Sequence, residues 1–319
     1  MEIIDQLNHY GKNRIPFLFI LDFELRFCHC IALSGITSDS ILYFVNGFTN
    51  SDGAPRCAQV SMTRHPVSYA EYLSAYRKVM DALNRGDTYL LNLTFPTKIE
   101  TNVTLKDLFS LSTAKYKLWF NDAFVVFSPE TFIRINDRTI SSYPMKGTID
   151  AAVHNAEHVL LNDEKEFAEH VTIVDLIRND LSKVAKDVTV TRFRYVERIK
   201  TSQKDLLQVS SEITGRLDAG YNESIGDIIV SMLPAGSVTG APKTKTVEII
   251  NRVENYKRGY YTGIFGYFDG RNLDSGVMIR FIENTGDGYV YKSGGGITVY
   301  SDPAKEYREL IDKIYVPVV

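Results

Sequence analysis

The second half of the chain sets out helix patterns between long strand-like runs, and that ordering constrains the fold more than any single residue does. Asp163 followed by Glu166 reads as a capped helix start, with Phe167, Val171, Val174, Ile177 and Leu181 as its apolar stripe. Pro242, at a first turn, opens a second helix through Val247, Ile250 and Val253, and Asp302-Pro303 opens a third with Tyr307, Leu310, Ile311 and Ile314 inward. Strand-like runs lie between them at 208–216, 263–268, 275–282 and 289–291. Earlier, Tyr69, Tyr72, Leu73, Tyr76, Val79, Met80 and Leu83 form the stripe of another helix, which Gly86 stops. It is preceded by strands around 15–33 and 41–46 and followed by short alternating runs at 89–93, 123–127, 132–135 and 139–143. Strands and helices do not alternate one for one, so a doubly wound parallel fold is disfavoured. The expected class is α+β, with antiparallel or mixed sheets and helices packed outside.

Charge and cysteine usage narrow the partners. The 36 Lys and Arg against 39 Asp and Glu give a net charge of −3, and no basic block exists from which nucleic-acid or membrane-surface binding could be argued. A small-molecule partner is expected. No apolar run approaches the roughly 20 residues of a membrane span, and Met1 to Lys12 is polar without the pattern of a signal peptide, so a cytoplasmic location is expected. Cys28, Cys30 and Cys57 form no disulfide framework. Strand geometry sends Cys28 and Cys30 to one face and His29 to the other, which favours core packing over a metal site.

Three features could carry chemistry. Glu166 with Glu169, and Glu306 with Glu309, each sit three apart on a helix, so each helix can aim two carboxylates at a common point. Hard cations such as Mg²⁺ take oxygen ligands of this kind, although such pairs are also common on solvated helix faces. The glycine-rich segments Ser293-Gly294-Gly295-Gly296 and Gly236 to Lys243 interrupt regular structure and offer backbone N–H groups to an anion. An ordinary turn before a helix explains the second segment equally well, since it lacks a phosphate-loop ending. Lys146, in Tyr143-Pro144-Met145-Lys146-Gly147-Thr148, is either a solvated turn residue or, if buried among apolar groups, an amine able to attack an electrophilic carbon.

Taken in order, several motifs resemble the signature of chorismate-utilising enzymes. They are Pro144 to Thr148, Glu166-Phe167-Ala168-Glu169-His170 leading into Asp175 to Asp180, Gly236 to Lys243, Ile279-Arg280, Gly294 to Ile297, and Glu306-Tyr307-Arg308-Glu309 with Lys313. That group includes anthranilate synthase component I, isochorismate and salicylate synthases and aminodeoxychorismate synthase component I. The resemblance covers roughly residues 69–319 as a catalytic domain, with 1–68 as a shortened N-terminal strand region integrated in the same fold. It implies a sandwich of two large antiparallel sheets with helices outside. It further implies Mg²⁺ held by Glu166, Glu169, Glu306 and Glu309, and catalysis by Lys146 and Glu130. Substrate binding is implied for Thr148, Thr239, Gly240, Tyr261, Arg280, Gly294, Gly295, Gly296 and Lys313.

Within the group, lysine at position 146 resembles aminodeoxychorismate synthases, whereas anthranilate and isochorismate synthases carry alanine there. Leu90 stands where isochorismate and salicylate synthases carry a water-activating lysine, and leucine cannot act as a base. Gln208 stands where anthranilate synthases carry a histidine. Leu90 also replaces the glutamine of an aminodeoxychorismate synthase, and no Leu-Leu-Glu-Ser segment of a tryptophan pocket is present. The expected reaction is amination of chorismate at C4 by ammonia through a covalent Lys146 intermediate, giving 4-amino-4-deoxychorismate for 4-aminobenzoate and folate synthesis. All three cysteines precede residue 60 and none lies in a Gly-x-Cys-x-Gly glutaminase motif. The ammonia is therefore expected from solution or from a separate glutamine amidotransferase subunit.

Overall fold

A computed structural model describes residues 2–51, 59–200 and 205–318; Cys57 lies outside the described residues. Two nine-stranded sheets dominate it. The first runs Met145–Asp150, Asp205–Arg216, Thr139–Ser142, Thr131–Asn136, Leu273–Val277, Ile264–Phe268, Phe17–Leu21 and His29–Ala32, with Lys186–Lys200 also pairing Asp205–Arg216. The second runs Gly240–Ala241, Leu90–Thr101, Tyr289–Ile297, Phe281–Asn284, Phe124–Ser128, Tyr116–Phe120, Ile41–Val45 and Phe48–Thr49, with Met62–His65 also pairing Leu90–Thr101. Every pairing of these strands is antiparallel.

Strand Phe17–Leu21 shows how the layers assemble, because all five residues are fully buried. Leu18 and Ile20 point to the second sheet, packing with Tyr43, Leu118 and Val126. Phe17, Phe19 and Leu21 point the other way, into a core shared with Ile173 and Ile177 of helix Glu164–Leu181 and Ile225 and Ile229 of helix Ile225–Ser231. On the far side of the second sheet, Leu91, Leu93 and Phe95 pack under helices Tyr69–Asn84, Lys243–Val253 and Pro303–Asp312. A strand buried on both faces needs apolar residues at consecutive positions, which is what this segment supplies. The fold is thus the expected α+β sandwich with helices outside. Cys30 joins the core and Cys28 packs against it; both are free thiols. His29 turns the other way to Tyr260 Oη, 2.9 Å distant.

Helix starts follow the capping chemistry of the sequence. Asp163 accepts from the Glu166 N–H at 2.9 Å, and Asp302 accepts from Ala304 and Lys305 at 3.0 and 2.9 Å. Pro242 sits at the N-cap of helix Lys243–Val253, one residue before the expected first turn.

Three expectations are corrected, and two elements appear where the sequence marked none. Phe167 and Val171 are exposed, and His170, Ile173, Val174, Ile177 and Leu181 face inward instead. The run 275–282 is two strands in different sheets, because Arg280 adopts φ +54° and the chain crosses between layers there. Ser293 to Gly296 do not interrupt a strand; they continue Tyr289–Ile297, with Gly294, Gly295 and Gly296 opposite Thr94, Leu93 and Asn92. Lys186–Lys200, a 15-residue strand, and the helix Ile3–Lys12 carry no pattern singled out in the sequence. No described helix is long and apolar enough to cross a membrane.

Candidate active site

Four glutamates from two helices gather around the glycine end of strand Tyr289–Ile297. Helix Glu164–Leu181 supplies Glu166 and Glu169, and Pro303–Asp312 supplies Glu306 and Glu309. A Cβ built on Gly295 would lie 3.8 Å from both Glu306 Oε2 and Glu309 Oε1, and one on Gly296 would lie 3.1 Å from Lys146 Nζ and 3.7 Å from Glu169 Oε2. Backbone without side chains therefore forms the wall against which the charged groups converge. Leu90, buried, lines the same wall, its Cδ1 also 3.1 Å from that Gly296 position.

Three ammonium groups stand among the carboxylates. Lys146 Nζ is 3.5 Å from Glu169 Oε2. Lys313 Nζ is 2.6 Å from Glu309 Oε1 and donates to the Gly294 carbonyl at 2.9 Å. Lys165 Nζ is 2.7 Å from Glu306 Oε1 and 3.6 Å from Glu169 Oε1, joining the two helices. Lys165 escapes a reading of the sequence because its partner Glu306 is brought near only by tertiary structure; its one local signal is the i, i+4 spacing to Glu169. The surroundings of Lys146 also differ from expectation, since its amine faces a buried carboxylate rather than an apolar pocket.

Strand Met145–Asp150 aims Lys146 at this cluster by means of a bulge. Lys146 pairs Val209 and Thr148 pairs Gln208, so Gly147, at φ +76°, is the extra residue. Consecutive partners on a strand face opposite ways, which puts Lys146 and Thr148 on opposite faces although they are two apart. Thr148 is exposed and its hydroxyl accepts from Gln208 Nε2 at 3.5 Å. The structure therefore does not bring Thr148 to the lysine.

The remaining expected residues fall into two groups. Glu130 is a half-buried acid: the Ser237 hydroxyl donates to Oε1, and desolvation pushes the carboxyl up against the opposing pull of that hydrogen bond and of Lys146, Arg280 and Lys313. Arg280 is half-buried over the Tyr315 ring at 5.2 Å, and its Nε is enclosed without a hydrogen-bond partner. Thr239, Gly240 and Tyr261 have structural tasks in this conformation. The Thr239 hydroxyl donates to the Ala235 carbonyl at 2.7 Å, and Tyr261 is buried against Phe281. Gly240, at φ +134°, lies so close to the Leu90 carbonyl that a side chain would collide with it.

Next to Glu169, His170 is buried, 2.6 Å from Ser211 Oγ, and its pKa is lowered to about 4 by burial and then by the charges of Arg194 and Lys146. It ties the helix to strand Asp205–Arg216 as a neutral ring.

The carboxylates can be tested as a cation site. Among the described residues no three carboxylate, imidazole or thiol side chains form a ready metal cluster. Yet Glu169 Oε1 is buried with no hydrogen bond, and burial, followed by the negative charge of Glu169, raises the Glu166 carboxyl. The donor set is all oxygen and holds unused capacity, which suits a hard dication that completes its shell with water and substrate oxygens.

Comparison with known proteins gives the family. A family model described as chorismate binding enzyme matches residues 43–318, and the chain belongs to that family. An uncharacterized PabA-like protein of Haemophilus influenzae is 48% identical over 315 residues, covering 99% of this chain and 96% of its own length. The aminodeoxychorismate synthase component 1 of Bacillus subtilis is 31% identical over 78% of this chain and 55% of its own. The anthranilate synthase component 1 of Archaeoglobus fulgidus is 33% identical over 72% of this chain and 57% of its own. The crystal structure of a putative 2,3-dihydroxybenzoate-specific isochorismate synthase, DhbC, of Bacillus anthracis shares the fold, with a TM-score of 0.73 at 16% identity over 98% of this chain and 88% of that one.

Proposed function

We propose that the chain is component I of an aminodeoxychorismate synthase, which aminates chorismate at C4 and retains the enolpyruvyl group. The observation that carries this reading is the placement of Lys146, on the face of its strand that looks into the glutamate cluster, beside Leu90 and with the half-buried Glu130 nearby. The likeness to the Bacillus subtilis enzyme supports it.

Each residue has a definable task. Glu166, Glu169, Glu306 and Glu309 would hold Mg²⁺ directly or through water, and a bound dication supplies positive charge for the ring carboxylate of chorismate. Arg280, with an unpaired N–H, and Lys313 offer donors to substrate carboxylates. Lys146 Nζ forms a bond to C2 while both ring double bonds move, C1=C2 to C1=C6 and C5=C6 to C4=C5, and the C4–O bond breaks. Hydroxide is a poor leaving group, so Glu130, whose carboxyl burial pushes toward the protonated form, gives its proton to the departing oxygen. Ammonia then bonds to C4, both double bonds return to C5=C6 and C1=C2, and the C2–N bond to Lys146 breaks, which frees the lysine. Leu90 provides no base for water at C2. The ammonia comes from solution or from a glutamine amidotransferase subunit.

The test is the mass and identity of the product from chorismate, Mg²⁺ and ammonium at alkaline pH, where neutral NH₃ is abundant. 4-Amino-4-deoxychorismate is expected. Anthranilate with released pyruvate, the reaction of an anthranilate synthase, or isochorismate would overturn the assignment.

A further inference from the structure

Lys165 stands apart from the other cations of the cluster because it alone links the two glutamate-bearing helices. Its ammonium lies 2.7 Å from Glu306 Oε1 and 3.6 Å from Glu169 Oε1, one carboxylate from each helix. Both are almost wholly buried, with side chains 3% and 6% exposed, while the Lys165 side chain is 32% exposed and retains a route to solvent. Two buried anions on facing helices repel one another unless a positive charge stands between them. Lys165 supplies that charge from within the chain, at the end of a flexible four-carbon stem that can swing outward.

We propose that Lys165 is a built-in counter-ion which holds Glu169 and Glu306 together when no divalent cation is bound and is displaced when one enters. The inference rests on the cation site of the proposed function. An ammonium cannot ligate a metal, and a dication using Glu169 Oε1 and Glu306 Oε1 would occupy the space that now faces Nζ, so lysine and metal must exclude each other. Cation binding is then an exchange, weaker than the carboxylates alone would allow by the free energy of moving Lys165. In return, the metal-free site keeps its shape for the next cation. Lys165 is a positioning residue in this account and touches no reacting atom.

Calorimetric titration of Mn²⁺ into the chelator-treated full chain, compared between wild type, Lys165→Met and Lys165→Arg, tests the exchange, with thermal melts of each protein in chelator and in Mn²⁺. Lys165→Met should bind Mn²⁺ about ten-fold more tightly or better, should melt lower than wild type in chelator, and should gain more from Mn²⁺. Lys165→Arg keeps the charge and should bind as weakly as wild type. Equal or weaker Mn²⁺ affinity in a folded Lys165→Met would overturn the counter-ion role while leaving the cation site intact. Absence of Mn²⁺ binding in all three proteins would overturn the cation site and this inference with it. Should Lys165→Met not fold, Mn²⁺ binding to Lys165→Gln decides by the same criterion.

Discussion

Two of the charge clusters among the described residues are built to opposite rules. Around Arg258, 1% exposed, every group has a partner. The guanidinium donates to Glu254 Oε2 at 2.9 Å and Oε1 at 2.6 Å, to the carbonyls of Val238 and Asn92 at 2.8 and 2.7 Å, and to Thr262 at 3.4 Å. Glu254 Oε1 also accepts from the N–H and the hydroxyl of Thr94. This saturated cluster fastens the loop before helix Lys243–Val253 to strand Leu90–Thr101. At the glutamate cluster the buried Glu169 Oε1 makes no hydrogen bond, and neither does Arg280 Nε beside Tyr315. A saturated cluster has nothing left to offer a ligand, whereas buried polar atoms without partners destabilise the fold unless something else satisfies them. Charge density alone therefore does not mark a site; unfilled capacity does.

The largest expected effect comes from the unfilled cluster and falls on rate. Lys146→Ala should reduce C4 amination by about 10⁴-fold or more, as removal of a nucleophile does, and shift stability by less than about 1 kcal/mol. Intact mass after quenching with chorismate and no ammonia should show an adduct on wild type and none on the variant. Residual turnover should carry ammonia to C2, giving 2-amino-2-deoxyisochorismate. An unchanged rate and product would refute the covalent mechanism, and a collapse of the melting temperature would place Lys146 with the structural charges.

The saturated cluster should respond in the opposite sense. Arg258→Met leaves Glu254 buried without its cation and should cost about 3–5 kcal/mol of stability, read from urea midpoints. Adding Glu254→Leu should recover much of that loss, because the cost lies in the orphaned charge rather than in the missing pair. A loss below about 1 kcal/mol in the single variant would erase the distinction between the clusters.

The two clusters were unequally legible in the sequence, and for physical reasons. Glu166, Glu169, Glu306 and Glu309 stand out because i, i+3 spacing is a local signal, and helix caps such as Asp163 and Asp302 are local too. Glu254 and Arg258 lie four apart just beyond helix Lys243–Val253, and what makes them structural is their contact with Thr94, Asn92 and Val238, which only the fold supplies. Lys165 is hidden for the same reason. Thr148 is turned away from Lys146 by a bulge at Gly147, an extra residue that no local pattern in the sequence marks. The glycines 294–296 mislead: strand propensity disfavours glycine, but pairing with Leu90–Thr101 and the need for an open wall override it.

The smallest shift in stability is expected at Glu130, and its sign is the sharpest discriminator between the two kinds of cluster. Burial holds this carboxyl above its ordinary value in the folded chain, so the native state binds a proton more readily than the unfolded state does. Stability from this group is fully present below the unfolded pKa and is lost as pH rises through the raised folded value. Glu130→Gln cannot ionise and keeps an oxygen for the Ser237 hydroxyl. The variant should therefore match wild type in urea midpoint near pH 4, about the unfolded value, and exceed it at alkaline pH, while amination falls with loss of the acid. That pairing of a more stable fold with a poorer catalyst is expected where a group is held in an unfavourable environment for chemistry. If instead Glu130→Gln is the less stable protein at alkaline pH, the Glu130 carboxylate is ionised and paired in the native state, and the general acid must be sought elsewhere.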